Sequence, residues 1–291
     1  MLTQSNPGFV NLGLMLGKDT LMNYITEYGF GEKTGIDLNG EGSGILFDVN
    51  AMGNVELATT AFGQGISVTP IQQVRAVSAV VNGGTLYTPY IVKSFLEPET
   101  DTIIKSNGPT KVGSIISEET SSIVRYALES VVAKGSGHNA YIENYRIGGK
   151  TGTAQTVENG VYSDSKYILS FIGFMPADDP EIVVYVAVQN AKNVVQYGGT
   201  VAAPIARNIF LSAIDILDIE ADTEGIPKEY TWLDTKYVVA PDITGLSLDE
   251  AKKALKGFNI EYSGNGENVV YQSPNGGMYV KEGGTIVLML N

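Results

Sequence analysis

Gly148-Gly149-Lys150-Thr151-Gly152-Thr153-Ala154-Gln155 is the stretch on which the fold turns. Two kinds of chemistry compete for it. Gly149-Lys150-Thr151 has the form of the end of a phosphate-binding loop. Such a loop needs a glycine five positions before Gly149, where Asn144 stands, and it must open a helix. The residues after Thr151 are strand-like instead. As a strand, the stretch sends Lys150 and Thr151 to opposite faces and puts Thr153 on the face of Thr151. A lysine ammonium and hydroxyls grip a carboxylate by charge-assisted hydrogen bonds. Gly152 has no side chain, so a substrate can lie against the strand there. A backbone N–H at the strand edge can also stabilise an oxyanion.

The neighbouring segments make this an α+β layered domain. Residues 146–157, 167–175 and 182–189 are three strand-like runs in close succession. Between the last two lies Pro176-Ala177-Asp178-Asp179-Pro180, too short for a helical crossover, so those strands should pair antiparallel. Apolar spacing predicts helices over 9–16 and 20–28. Thr69-Pro70 opens a helix that runs to Val81 and stops at Gly83-Gly84. Ser117 fits an N-cap, with Glu118 and Glu119 at the positive helix start and Gly135 at the end. A last helix, 201–217, is expected to carry Ile205, Ile209, Phe210, Ala213 and Ile216 on one face. Tyr24, Tyr28, Tyr126 and Tyr145 read as packing residues of amphipathic segments.

At roughly 100–200 residues per domain, a chain of this size holds about two. The division expected is 1–218, an acidic Gly/Pro-punctuated linker over 219–235, and a compact unit over 236–291. With 19 Lys and Arg against 32 Asp and Glu, the net charge is -13. That argues against nucleic acid or an anionic membrane surface as the main partner. Cysteine is absent and His138 is the single histidine, which excludes disulfides, thiolate sites and multi-histidine metal centres. His138, in Gly135-Ser136-Gly137-His138-Asn139, reads as a surface loop residue. No apolar run approaches the ~20 residues that span a bilayer, and the start lacks the pattern of a signal peptide. The chain is therefore cytosolic or lacks its targeting segment.

The octapeptide resembles the Lys-Thr-Gly box of serine acyl transferases, the penicillin-binding proteins and β-lactamases. Other segments are similar to the C-terminal part of class B penicillin-binding proteins, the D,D-transpeptidases of peptidoglycan synthesis. They are Ser5-Asn6-Pro7-Gly8-Phe9 with Leu12-Gly13, and Thr34-Gly35-Ile36-Asp37-Leu38 with Gly40-Glu41. Phe62-Gly63-Gln64-Gly65 running into Val68-Thr69-Pro70-Ile71-Gln72 completes the set, in the expected order. Val239-Ala240-Pro241-Asp242, Gly245-Leu246-Ser247, Gln272-Ser273-Pro274 and Gly283-Gly284 resemble one PASTA module, a helix against a three-stranded sheet. A single copy suggests a sporulation-type, Gram-positive member of the class.

The resemblance implies a truncated transpeptidase domain, with an antiparallel sheet flanked by helices, plus a small α+β PASTA domain. It assigns Ser5, Asn6 and Lys150 to the catalytic set. Lys150, Thr151, Gly152, Thr153 and Gln155 would bind substrate, with the Thr153 N–H in the oxyanion hole. The motif serine is irregular. Counted back from Asn6 it falls on Gln4; with one residue missing it is Ser5. The nucleophile belongs to a Ser-x-x-Lys box upstream of the Ser-x-Asn segment, where this chain has no room. Its one match, Ser163-Asp164-Ser165-Lys166, reads as a solvated loop. No metal or organic cofactor is implied. The partners implied are peptidoglycan stem peptides, β-lactams and other cell-wall synthesis proteins. The full protein would be anchored at the extracytoplasmic face of the membrane. The alternative is a non-catalytic module that binds peptidoglycan or muropeptide. Trp232 is expected to pack the final unit onto the larger domain. A truncated domain should expose apolar surface and associate with itself.

Overall fold

The computed structural model describes residues 5–158, 161–229 and 237–291. Gln4 and Trp232, on which two of the sequence expectations rest, lie outside them. The chain divides at Lys228/Glu229 into two compact units.

In the first unit, helices α1 (Asn6–Leu16), α2 (Lys18–Glu27) and α3 (Asn54–Ala61) come first. α1 meets α3 where Gly13 faces Ala61; a Cβ at Gly13 would stand 2.4 Å from that methyl group. α4 (Pro70–Val81) begins as its residues dictate: the Thr69 hydroxyl accepts from the Gln72 amide, and the Gln72 side chain returns to the Thr69 N–H. Two antiparallel ribbons come next, made from β1 (Thr85–Thr88), β2 (Ser94–Leu96), β3 (Ile103–Ser106) and β4 (Thr110–Ser114). β1 pairs with β4, and β2 with β3. α5 (Glu118–Lys134) starts at Ser117, whose hydroxyl accepts from Thr120, and ends at Gly135.

The site strand belongs to a three-stranded antiparallel sheet of β5 (Gly148–Glu158), β6 (Val161–Met175) and β7 (Ile182–Gln189), in that order. The antiparallel pairing expected from the short 176–180 turn is present, with Phe171 opposite Val186. β6 buries both faces. Phe171 and Met175 join Phe210, Ala203 and Ala206 in one core, while Phe174 packs with Val81 and Ala177 in another. Two glycines of the octapeptide are steric requirements of these cores. A Cβ at Gly148 would stand 2.3 Å from the Phe174 ring, and one at Gly149 2.4 Å from that of Phe171.

α6 (Gly198–Leu217) covers the sheet, but not with the face expected. Phe210 and Ala213 are buried, whereas Ile205, Ile209 and Ile216 are 43%, 41% and 79% exposed. The buried stripe is Gly199, Ala202, Ala203, Ala206, Phe210 and Ala213. Small residues let the helix lie close on the strands, and a reading weighted by bulky side chains picks the wrong side. This helix is also long and apolar enough to cross a membrane, which a search for unbroken apolar runs overlooks because Arg207, Asn208 and Asp215 interrupt it; it packs against β6 and β7.

Two further expectations change. Ser163–Lys166 lies inside the span of β6, but the pairing steps from Gln155–Tyr167 straight to Val157–Tyr162, so these four residues bulge from the hairpin without partners on β5. Tyr24 and Tyr126 are 42% and 61% exposed, so of the four tyrosines only Tyr28 and Tyr145 are partly buried.

Past α6 the chain stays on the first unit. Ile219 is buried, the Asp222 amide donates to Asn144 O, and the Ile226 amide donates to the Glu129 carboxylate at 3.0 Å. Arg146 holds both oxygens of Glu129 at 3.1 and 2.9 Å and also faces Asp178 and Asp222.

The second unit contains β8 (Tyr237–Val239), α7 (Leu248–Ala254), β9 (Asn259–Ser263), β10 (Val269–Ser273), β11 (Tyr279–Lys281) and β12 (Thr285–Leu290). β12 lies centrally, antiparallel to β10 and parallel to β9. β12 alternates exposed and buried along its length, and Ile286, Leu288 and Leu290 meet Ala251 and Leu255 in the core. Gln272 is the polar exception, 3% exposed. Its amide accepts from Ile243 N and donates to Pro241 O and Pro274 O, so the buried group is satisfied.

Candidate active site

Lys150 sits on β5, the edge strand of its sheet, opposite Ile172. Its ammonium donates to Thr151 O at 3.0 Å and has no carboxylate partner among the described residues. Burial pushes its pKa down, because the charged form has lost water without gaining an anion. A positive charge held in this way favours an incoming carboxylate.

Thr151 is 4% exposed and faces inward, its hydroxyl 3.0 Å from that of Ser136. Thr153 lies next on the same face. Its Oγ1 accepts from the Gly198 amide at 3.2 Å, at the N-terminus of α6. With one lone pair engaged there, the hydroxyl proton is left to donate outward. A Cβ at Gly152 would stand 2.4 Å from the Ser170 hydroxyl, and α6 also comes close to the strand. A Cβ at Gly198 would stand 2.3 Å from Gly152 O and 2.4 Å from Ser170 O. Gln155 donates to Ser163 O at 3.1 Å, which ties it to the continuing hairpin.

The Gly135–Asn139 segment is not a surface loop. It is wedged between α5, β5 and α6, with Ser136 on Thr151 and Asn139 donating to Gly199 O at 2.8 Å. His138 is partly buried in a short turn, its Nδ1 3.1 Å from Gly135 O. Sequence reasoning missed Ser136 as a support of the Lys-Thr-Gly strand. The signal available was Gly-Ser-Gly directly after a helix, a small-residue turn that lets backbone approach backbone.

Ser5 and Asn6 are exposed at the start of α1. The Ser5 hydroxyl accepts from Gly8 N at 3.4 Å as the helix cap. Among the described residues no hydrogen bond joins either to Lys150. The Ser163 hydroxyl accepts from the amides of Ser165 and Lys166 at 3.5 and 3.3 Å, within its own strand. The remaining motif residues hold the fold. The Glu41 carboxylate accepts from the Thr34 and Gly35 amides, and Asp37 accepts from the Ile91 and Val92 amides. Gln72 donates to Glu32 O and Ser43 O.

Known proteins resemble this chain in sequence and fold. Residues 1–211 match the penicillin binding protein transpeptidase domain, and residues 238–291 match the PASTA domain. Stage V sporulation protein D of Bacillus subtilis is 55% identical over 285 residues, 98% of this chain and 44% of that protein. The penicillin-binding protein PbpB of Mycolicibacterium smegmatis is 32% identical over 215 residues, 70% of this chain and 33% of its own length. The chain thus spans less than half the length of these relatives. Among solved structures, penicillin binding protein 3 of Mycobacterium tuberculosis in complex with ampicillin superposes with a TM-score of 0.70. The two are 28% identical, over 78% of this chain and 53% of that one. The transpeptidase domain of Burkholderia pseudomallei penicillin-binding protein 3 gives 0.65 at 30% identity, over 75% of this chain and 63% of its own. With the larger unit matched over residues 1–211 and the small C-terminal unit over 238–291, the chain belongs to the penicillin binding protein transpeptidase family, closely related to stage V sporulation protein D, and ends in a PASTA domain.

Proposed function

We propose that this chain is the C-terminal portion of a sporulation-related peptidoglycan D,D-transpeptidase. Its functional parts would be a transpeptidase region over 1–218 and a PASTA unit over 236–291, with a linker between them. The observation that carries the reading is the Lys150 ammonium on β5, partly buried and without a carboxylate partner among the described residues. In this reading Lys150 and Thr153 hold the terminal carboxylate of a stem peptide or of a β-lactam, while Thr151, expected from the sequence to share that role, is buried against Ser136 and supports the strand from within. Gly152 gives the substrate access to the strand, Gln155 borders the cleft, and the Thr153 N–H joins the oxyanion hole. Ser5 and Asn6 complete the catalytic set.

The attacking serine is supplied from the Ser-x-x-Lys box of a longer, membrane-anchored, extracytoplasmic protein. It adds to the penultimate D-Ala carbonyl, the C–N bond to the terminal D-Ala breaks, and that D-Ala leaves with the proton on its amine. An amine of a neighbouring stem peptide then takes the acyl group, and the serine regains its proton. The same serine would open a β-lactam ring and remain acylated.

Intact mass after incubation with excess penicillin tests this directly. The chain alone should gain no mass, and the longer gene product should gain one penicilloyl group. A longer product that stays unlabelled would overturn the reading. Heat from muropeptide binding in that unlabelled protein would instead favour a non-catalytic binding module.

A further inference from the structure

Beyond Gln155 the β5–β6 hairpin departs from a regular ribbon. Its register shifts between Gln155 and Val157, and a shift of this kind bends the strand and re-aims the side chains beyond it. Tyr167 stands opposite Gln155 and Tyr162 opposite Val157, so residues 163–166 of the partner strand bulge out between them. Ser163 O takes the Gln155 amide, which fixes the hairpin to the site strand at that point. The Tyr162 hydroxyl accepts from the Gly65 amide at 3.0 Å, across 97 residues of sequence.

Gly65 belongs to the turn after α3. Its φ is +83°, and a Cβ there would stand 2.5 Å from the Phe47 ring, so the amide is presented from a tightly fitted position. α3 in turn is packed on α1 through Ala61 and Gly13. α1 begins with Ser5 and Asn6. One side chain therefore connects two parts of the molecule. On one side is the strand with Lys150, Thr151 and Thr153. On the other is the helical part whose first residues are the Ser-x-Asn segment.

We propose that Tyr162 is a positioning residue for acyl transfer. Its hydroxyl, bonded to the Gly65 amide, sets the separation between the Lys-Thr-Gly strand and the helical wall that carries Ser5 and Asn6. The proposal rests on the transpeptidase reading. Groups on opposite walls must act on one bound substrate, and a misplacement of about 1 Å can cost on the order of a hundredfold in rate. Losing a single hydrogen bond at an exposed position lets the walls relax without unfolding either.

Tyr162→Phe removes the hydroxyl and keeps the ring. In this chain, amide exchange at Gly65 should accelerate at least severalfold while the melting temperature stays unchanged. In the longer gene product, stopped-flow acylation by a fluorescent penicillin should show a first-order acylation step about tenfold slower. The initial binding constant and the labelled fraction should not change. A merely structural role would lower the labelled fraction and leave the rate of the labelled molecules intact. An acylation rate within twofold of the parent, or Gly65 exchange that does not respond, would overturn the proposal. If the parent protein fails to label at all, the transpeptidase reading falls, and Gly65 exchange still decides whether the Tyr162 contact exists.

Discussion

At the scale of single residues, the proposed chemistry of β5 depends on the Lys150 ammonium, which donates to a backbone carbonyl and faces no carboxylate among the described residues, and on the Thr153 hydroxyl. In the proposed role Lys150 would bind a carboxylate only as the ammonium. Its folded-state pKa lies below the 10.5 of a free lysine because it is desolvated. Binding of a peptide ending in D-Ala-D-Ala should therefore weaken as pH rises through that lowered value, earlier than for an exposed lysine. Calorimetric titration from about pH 7 to about pH 11 would check it, and affinity that holds until above 10.5 would contradict it. The same shift sets the sign for stability. Between the lowered folded value and 10.5 the unfolded chain binds more protons, so this group makes the fold more stable as pH rises through that window. Thr153→Val keeps the shape and removes the donor. A hydrogen bond to a charged group contributes about 1.5–3 kcal/mol, so penicillin acylation of the longer protein should slow roughly 10- to 100-fold. Thr153→Ser should retain most of the rate.

At the scale of elements, the close approach of α6 to the sheet is what brings the Gly198 amide to Thr153. Gly198→Ala would force a methyl group into two backbone carbonyls. It should cost about 1–3 kcal/mol in urea unfolding and disturb the Thr153 hydroxyl as well. Ile205→Lys, on the exposed face of the same helix, should change stability by no more than about 0.5 kcal/mol. The contrast tests which face is buried. Arg146 and Glu129 make a second dependence between elements. Glu129 lies on α5 and is buried, and its carboxylate serves both Arg146 and the Ile226 amide. Removing one partner of a buried ion pair costs about 3–5 kcal/mol, so Glu129→Ala should be strongly destabilising. It should also release residues 219–228 to early tryptic cleavage at Lys228, whose ammonium lies 5.9 Å from the Tyr141 ring centre. That segment has the acidic, Gly/Pro-rich composition of a free linker. It is held down by partners that come from α5 and from the residue four positions before Lys150, and local composition cannot reveal such partners.

At the scale of the whole molecule, the division into two compact units, whose buried clusters share no residue, predicts two separable folding units. Residues 237–291 expressed alone should give a dispersed amide spectrum, because Ile243, Leu255, Ile286 and Leu288 are all buried within that unit. The larger unit carries a different liability. Phe9, Leu12, Met15 and Leu16 on α1, and Ile205, Ile209 and Ile216 on α6, are exposed. Apolar faces of this kind favour association. Light scattering should show concentration-dependent oligomers, and a clean monomer at high concentration would count against it.

Much of the fold is legible in the order of the residues. Thr69-Pro70 and Ser117 with its adjoining glutamates announce helix starts, since a cap is satisfied within four residues. The antiparallel pairing of β6 and β7 comes from a turn too short for anything else, and the residues from Lys150 to Thr153 declare a strand rather than a phosphate loop. Asn159-Gly160, a dipeptide of tight hairpins, was the available signal that β6 extends through Ser163. What the tertiary structure alone decided is which groups are already engaged. It placed Ser136 beneath Thr151, the α6 amide on the Thr153 hydroxyl, Tyr162 on Gly65 and Arg146 among three carboxylates. These contacts join residues distant in sequence. Local propensity and periodicity act over a few residues, whereas a long-range contact depends on how whole elements stack.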